Sequence, residues 1–351
     1  MIDKNYCMSS FLTFRRIVCP DKDFKDGIKH IDYVDYYKDK RIPVKNANDI
    51  AKAYKAIIES VSDRKIGILL SGGMDSACVA AFLKPGTDAY TFRFLNGTFG
   101  AEELKRAEYY AEKNQLNLHY VDINFDVVNK NLPLLMKRKG APVHSIEPQI
   151  MEAALQAKSD GVEQLICADN CDLEFGGYDK MLSKDWNYDD WKKFYIFLDP
   201  KEVLNDPVDL DEIFQKYKLP NNKIDYLRFM KEIFGPESCA SYQNANDTAG
   251  MKYHILDPSE MTELIIPLDL ARIRSGDSKY LIRELFKKCY PGFPVPEKVP
   301  MPRPVDYYFK DWQGPNRLEF KNNIKVSLLT GNQKWLLYCL EQFLKMVQSE
   351  M

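Results

Sequence analysis

The segment Ser71-Gly72-Gly73-Met74-Asp75-Ser76 joins hydroxyls, adjacent glycines and a carboxylate in one short loop. It follows the apolar run Ile66–Leu70 and opens onto Ala77–Leu83, which predicts strand, glycine turn and helix in succession. The glycines let backbone N–H groups turn toward an anion, which would sit on the positive end of the helix. A carboxylate inside an anion site has a use if a divalent cation bridges it to phosphates. Ser71, Gly72, Gly73, Asp75 and Ser76 are therefore predicted to hold a pyrophosphate with Mg²⁺. The loop lacks the lysine and the spacing of GxxxxGK[ST], so it is no Walker A site. The competing reading is a glycine turn with no ligand.

A second constellation follows the predicted strand Gln164–Ala168: Asp169-Asn170-Cys171-Asp172-Leu173-Glu174-Phe175-Gly176-Gly177-Tyr178. Asp169, Asp172 and Glu174 cluster at a strand end, where they could bind Mg²⁺ or orient an amine. Gly176 and Gly177 permit close approach of the backbone to a ligand. Taken alone, an acidic turn after a strand is usually a solvated one. Adenine would lie against apolar strand ends, with Leu70, Phe92 and Phe94 as candidates, although aromatic residues on strands more often fill a core.

Both loops must be carried by a common frame. From Lys65 strands and helices alternate: Ile66–Leu70, Ala77–Leu83, Ala89–Phe94, Ala101–Lys113, Leu118–Ile123, a loop containing Pro142, Glu147–Lys158 and Gln164–Ala168. This order predicts an α/β fold with a doubly wound parallel sheet and right-handed crossovers. Ligands of such sheets lie beyond the carboxyl ends of the strands, where both loops would fall. Residues 1–60 read as an N-terminal extension packing on the core, ending in a helix over Ala47–Val61. Residues 61–180 read as the nucleotide-binding region. Residues 181–351 read as a helical lobe, with helices over Tyr188–Leu198, Asp209–Tyr217, Ile224–Phe234, Lys279–Cys289 and Trp335–Val347. The proline-rich stretch Pro291–Pro304 reads as an extended connector.

Composition narrows the function classes. Charged residues make up 28% and hydrophobic ones 45% of the 351 residues, as in soluble globular proteins. A net charge of −2 gives no general attraction to nucleic acid or to an anionic membrane. No apolar run reaches the length of a membrane span, and the first residues lack the features of a signal peptide. The eight cysteines are scattered without CxxC spacing and the four histidines do not cluster. Reduced thiols, a cytoplasmic location and no zinc site are the expectations.

Together, SGGMDS and D-N-C-D-L-E-F-G-G-Y resemble the PP-loop and the G-E-G-x-D-E-L-F-G-G-Y motif of the asparagine synthetase family, in its synthetase domain. The β-lactam synthetases and lasso-peptide cyclases are relatives within that family. Glu102-Glu103 with Ala107 and Ala111, His119, Asn246-Asp247, Met251, Leu256-Asp257 and the run Ser278 to Glu284 extend the resemblance across roughly residues 25–310. It implies a fold of the adenine-nucleotide α-hydrolase type with ATP and Mg²⁺ as cofactors. It implies that Ser71, Gly72, Gly73 and Ser76 bind pyrophosphate and that Asp75 and Asp172 hold Mg²⁺. Asp169 falls where the family has a glutamate of the amine half-reaction, and Lys279 matches the lysine that stabilises charge during adenylation. A carboxylate would be adenylated with release of pyrophosphate, and an amine would then displace AMP. Asp277 or Ser278 is expected to cap a helix, leaving Lys279 in its first turn. A cation is mildly unfavourable there, and a phosphate would reverse that balance.

The departures fall where the acyl group and amine would meet. Asp169 is one methylene shorter than the family's glutamate, Leu173 replaces another, and Glu174 is shifted by one. The family's glutaminase uses an N-terminal cysteine as nucleophile. Ile2 stands at that place and too few residues precede the synthetase region, so the expected partners are a small-molecule carboxylate with free ammonia, another amine, or a separate glutaminase. A homo-oligomer is left open. Three rivals share the first motif or its ancestry: a tRNA-modifying PP-loop enzyme, an NAD or GMP synthetase-like amidating enzyme, and a non-catalytic nucleotide-binding regulatory protein.

Overall fold

The computed structural model describes residues 1–33, 38–95, 100–299 and 301–349. Strand β1 (Ile42–Val44) leads into helix Ala47–Glu59, whose first N–H groups are capped by the Asn46 side chain at 2.9 Å and 3.1 Å. Strands β2 (Ile66–Leu69), β3 (Asp88–Phe94), β4 (Asn117–Ile123) and β5 (Gln164–Ile166) form an all-parallel sheet in the order β4-β3-β2-β5. β2, β3 and β5 are buried almost throughout, as parallel strands covered by helices must be, whereas the edge strand β4 is largely exposed. The chain steps outward from β2 to β4 and then returns to place β5 on the other side of β2. The carboxyl ends of β2 and β5 therefore lie side by side where the strand order reverses.

Beyond β5 the chain is mainly helical. Its strands are short: β6 (Lys218–Leu219) pairs antiparallel with β7 (Lys223–Ile224), and β8 (Thr262–Leu264) pairs parallel with β1. An isolated bridge between Ile166 and Leu256 continues the large sheet past β5.

Several elements differ from the sequence expectation, among them two beside the predicted loops. The helix after the glycine loop spans Met74–Ala80, three residues earlier than expected, because Gly73 serves as its N-cap. The stretch expected as a loop before Glu147 contains a helix, Phe125–Lys139, with Pro133 inside it. Proline there hides the helical signal. Asn124 caps it at 2.9 Å, a stripe of Val128, Leu132, Leu135 and Met136 is buried, and Gly140 at φ 65° closes it.

The N-terminal segment is part of the core. Helix Lys4–Phe14 is buried from Tyr6 to Phe14. The Phe14 ring packs against Phe214 at 5.3 Å in an aromatic cluster that includes Tyr195 and Phe229. Tyr54 reaches the Cys171 thiol at 3.3 Å, tying this segment to the second motif. The closing helix spans Gly331–Ser349 and anchors Trp335 on the Val143 carbonyl at 3.0 Å. The connector 291–304 has neither helix nor strand over its described residues, with residue 300 outside them. All eight cysteines are free. Among the described residues no helix is long and apolar enough to cross a membrane.

Candidate active site

The loop after β2 is held by its own hydroxyls. Ser71 Oγ lies 2.9 Å from Ser76 Oγ, Ser76 Oγ accepts the Ser71 N–H at 3.1 Å, and Ser71 Oγ accepts the Gly73 N–H at 3.2 Å. Neither glycine has a positive φ, so the loop needs them for another reason. A Cβ on Gly72 would lie 2.2 Å from the Glu103 carbonyl, where helix Ala101–Lys113 crosses the loop. Arg106 fixes this crossing by donating to the Gly72 carbonyl at 2.9 Å.

The loops from β2 and β5 converge on Lys279. Its Nζ donates to Asp75 Oδ2 at 2.6 Å and lies 2.8 Å from Asp172 Oδ1. Lys279 is only 2% exposed, and the two carboxylates hold its amine well above the ordinary lysine range. Burial raises Asp75, while the nearby lysines overcome burial at Asp172 and lower it. Lys279 does not sit in the first turn of its helix as expected. It is the N-cap of Tyr280–Cys289 in the left-handed conformation, φ 49°, and its N–H donates to the Gly176 carbonyl at 3.3 Å. A side chain of this size at positive φ costs about 1 kcal/mol or more, so the surroundings must enforce it.

Gly176 and Gly177 act on this triad rather than facing the cleft. Gly176 has φ 77° with Ile273 packed against it. A Cβ on Gly177 would meet Asp172 Oδ1 at 2.0 Å and Lys279 Cδ at 2.8 Å. The Gly177 carbonyl also accepts from Lys298 at 2.5 Å, and Lys298 pairs with Asp172 Oδ2 at 3.0 Å.

Asp169 stands apart from the triad. Its backbone N–H and that of Asn170 donate to Asp257 Oδ2 at 2.8 Å and 2.9 Å, and its carboxylate accepts from Ser238 Oγ. Burial pushes the Asp169 carboxyl up to about 7, with the Ser238 hydrogen bond opposing. Glu174 is not brought to this centre. Its Oε1 accepts the Leu264 N–H of β8 at 2.5 Å, and burial raises its carboxyl.

A cleft runs along the carboxyl end of the sheet. Leu70, Ser71, Gly73, Asp75 and Ser76 line one side, Phe92 and Phe94 the apolar end, and Asp169, Asp172 and Lys298 the other. His119 is not among the lining residues: it pairs with Asp88 at 2.9 Å and stacks on Tyr90, which does line the cleft.

Sequence reasoning missed two groups in this cleft. Lys298 was hidden in a proline-rich connector, where only an isolated cation between prolines signals it. Glu103 appeared as part of a pattern without a role. It lines the cleft, its buried Oε2 has no hydrogen-bond partner, and burial pushes its carboxyl up to about 7. Acidic residues in the first turn of a helix after a sheet strand are the signal that could have found it.

The sequence pattern described as asparagine synthase matches residues 53–239. No curated protein matches the chain. Among solved structures, NMN synthetase from Francisella tularensis is similar at 13% identity over 73% of this chain and 99% of that one, with a TM-score of 0.30.

Proposed function

The chain belongs to the asparagine synthase family, and from that premise we propose that it is an ATP-dependent ligase that adenylates a carboxylate and passes the acyl group to an amine. One observation carries this reading: two loops at neighbouring strand ends bring Asp75 and Asp172 onto one buried lysine, beside a hydroxyl-lined glycine loop. A purely structural role would not need a desolvated ion cluster with a cleft at its side. The strand order supports a doubly wound sheet of the adenine-nucleotide α-hydrolase type.

In this reading ATP lies with its base toward Leu70, Phe92 and Phe94 and its β and γ phosphates along Ser71–Ser76. The substrate carboxylate attacks the α-phosphorus and pyrophosphate leaves. Lys279 and Lys298 meet the charge that builds on the leaving phosphates. Asp75 and Asp172 are the residues that would hold Mg²⁺. Asp75 Oδ1 is buried without a hydrogen-bond partner, and Mg²⁺ is commonly held by one or two carboxylates plus substrate phosphates. When bound, the ion supplies neutralisation of phosphate charge.

The amine nitrogen then attacks the acyl carbon, the bond to AMP breaks, and Asp169 takes the proton. A carboxyl raised to about 7 is suited to that task near neutral pH. Glu174 takes no part in these steps.

Pyrophosphate release from ATP and Mg²⁺, measured across a panel of carboxylates with and without ammonium, tests the reading. Release dependent on one carboxylate is expected. ATP binding with no release for any carboxylate would favour a regulatory nucleotide-binding protein instead.

A further inference from the structure

A second cavity, of about 570 Å³, lies behind the nucleotide cleft and shares Cys167, Asp169 and Tyr242 with it. This is ligand-sized space, since small-molecule sites span roughly 300–1,000 Å³. It far exceeds ammonia, a molecule close in size to water, whose share of liquid volume is about 30 Å³.

Its wall is mixed in charge, but the charges are unequally satisfied. Asp32 is bonded to Arg16 at 2.7 Å, and Glu232 accepts from Arg228 and Tyr217 at 2.8 Å and 2.9 Å. Asp257 is taken up by backbone N–H groups of Asp169, Asn170 and Ser259. On the cationic side, the buried Nη1 of Arg16 has no hydrogen-bond partner, and Lys231 makes no salt bridge among the described residues. Arg41 adds a further positive charge and Glu260 a negative one. Gln243, 1% exposed, spends its Nε2 on the Ile255 carbonyl at 3.2 Å and leaves Oε1 unpartnered.

We propose that this cavity holds the substrate that meets the nucleotide at Asp169, a small organic molecule whose far end carries a carboxylate or phosphate read by Arg16 and Lys231. Gln243 Oε1 accepts a hydroxyl or amide hydrogen from its middle. Arg16 lies outside the residues that match the family, so its share of this specificity comes from the N-terminal segment, whereas Lys231 lies within the matched residues. The inference rests on the ligase reading for what the molecule becomes, but not for its binding.

The test is equilibrium binding of paired probes to the full chain: glutarate against pentanoate as acids, and β-alanine against ethylamine as amines. Wild type, Arg16→Gln and Lys231→Gln are compared, with ATP binding measured alongside. We expect the member of one pair that carries the distal carboxylate to bind and the twin lacking that carboxylate to bind at least about tenfold more weakly. Both variants should lose about the same factor while keeping ATP affinity. Lys231 is exposed, so its variant keeps the test decisive if Arg16→Gln fails to fold. Twins that bind alike, or variants that keep full affinity, overturn the proposal. A bound acid that alone stimulates pyrophosphate release is the acyl donor, whereas a bound amine consumed only when an acid is present is the acceptor. Selective binding without any pyrophosphate release would uphold the cavity and overturn the ligase reading.

Discussion

Gly177 leaves open the space that Asp172 fills: a Cβ there would stand 2.0 Å from Asp172 Oδ1. Gly177→Ala needs no unusual backbone conformation, so its effect comes from displacement of Asp172 and Lys279. The expected cost is about 1–3 kcal/mol of stability from overpacking. Pyrophosphate release should fall at least about 100-fold, because about 1 Å of misplacement at reacting groups has that effect. Thermal unfolding and initial rates check both numbers, and a fully active variant would remove the triad from the proposed chemistry.

Lys279 and Lys298 should differ in kind. Lys279→Met strips two desolvated carboxylates of their shared cation and should destabilise the fold by about 3 kcal/mol or more as well as abolish turnover. Lys298 is 30% exposed at its side chain, so Lys298→Met should change stability by less than about 1 kcal/mol. Its pyrophosphate release should nevertheless drop about tenfold or more. Denaturant unfolding alongside initial rates separates the two, and equal destabilisation would contradict this division.

Asp169 makes a pH-dependent prediction. Its folded carboxyl titrates at about 7, above the ordinary carboxylate range. Between those values the folded chain holds a proton that the unfolded chain has released, so this group's contribution to stability falls as pH rises toward 7. Asp169→Asn should therefore melt about 2 °C or more above the parent near pH 8, with the gain vanishing near pH 4. Amide formation should rise with pH through about 7 in the parent and fall about 10²- to 10⁴-fold in the variant, with pyrophosphate release retained.

Glu103 predicts a pH effect on ATP itself. Its carboxyl, raised to about 7 by burial, is neutral below that pH and charged above it, facing the cleft. ATP affinity should weaken about three- to tenfold between pH 6 and pH 8 as a carboxylate forms near the nucleotide. Glu103→Gln should flatten that dependence in an equilibrium binding titration.

The alternation of apolar runs with glycine turns was sufficient to place β2, β3, β4 and β5 within a residue or two and to point to the loops after β2 and β5. Ser71 and Asp75 stood out because hydroxyls, glycines and a carboxylate in one strand-end loop suit a phosphate and metal site, whereas Asp169 and Asp172 were singled out only by the pairing of their turn with that loop and by the family resemblance. Helix Phe125–Lys139 was not legible, since Pro133 masks a pattern that only packing of its apolar stripe overrides. Neither was the duty of the glycines: Gly72 and Gly177 serve close approaches to Glu103 and Asp172, and such distances exist only once distant segments meet. Lys279 was picked out only by the family resemblance, and its left-handed N-cap geometry depends on the Gly176 carbonyl, 103 positions earlier. Lys298 and Glu103 had only faint local signals, an isolated cation between prolines and an acidic first turn, and the Arg16 wall of the second cavity had none. Residue chemistry and periodicity are local properties and are written along the chain. Burial, charge pairing and cavity shape are set by contacts across it, so the tertiary structure alone decided which charges face each other and which were left without partners.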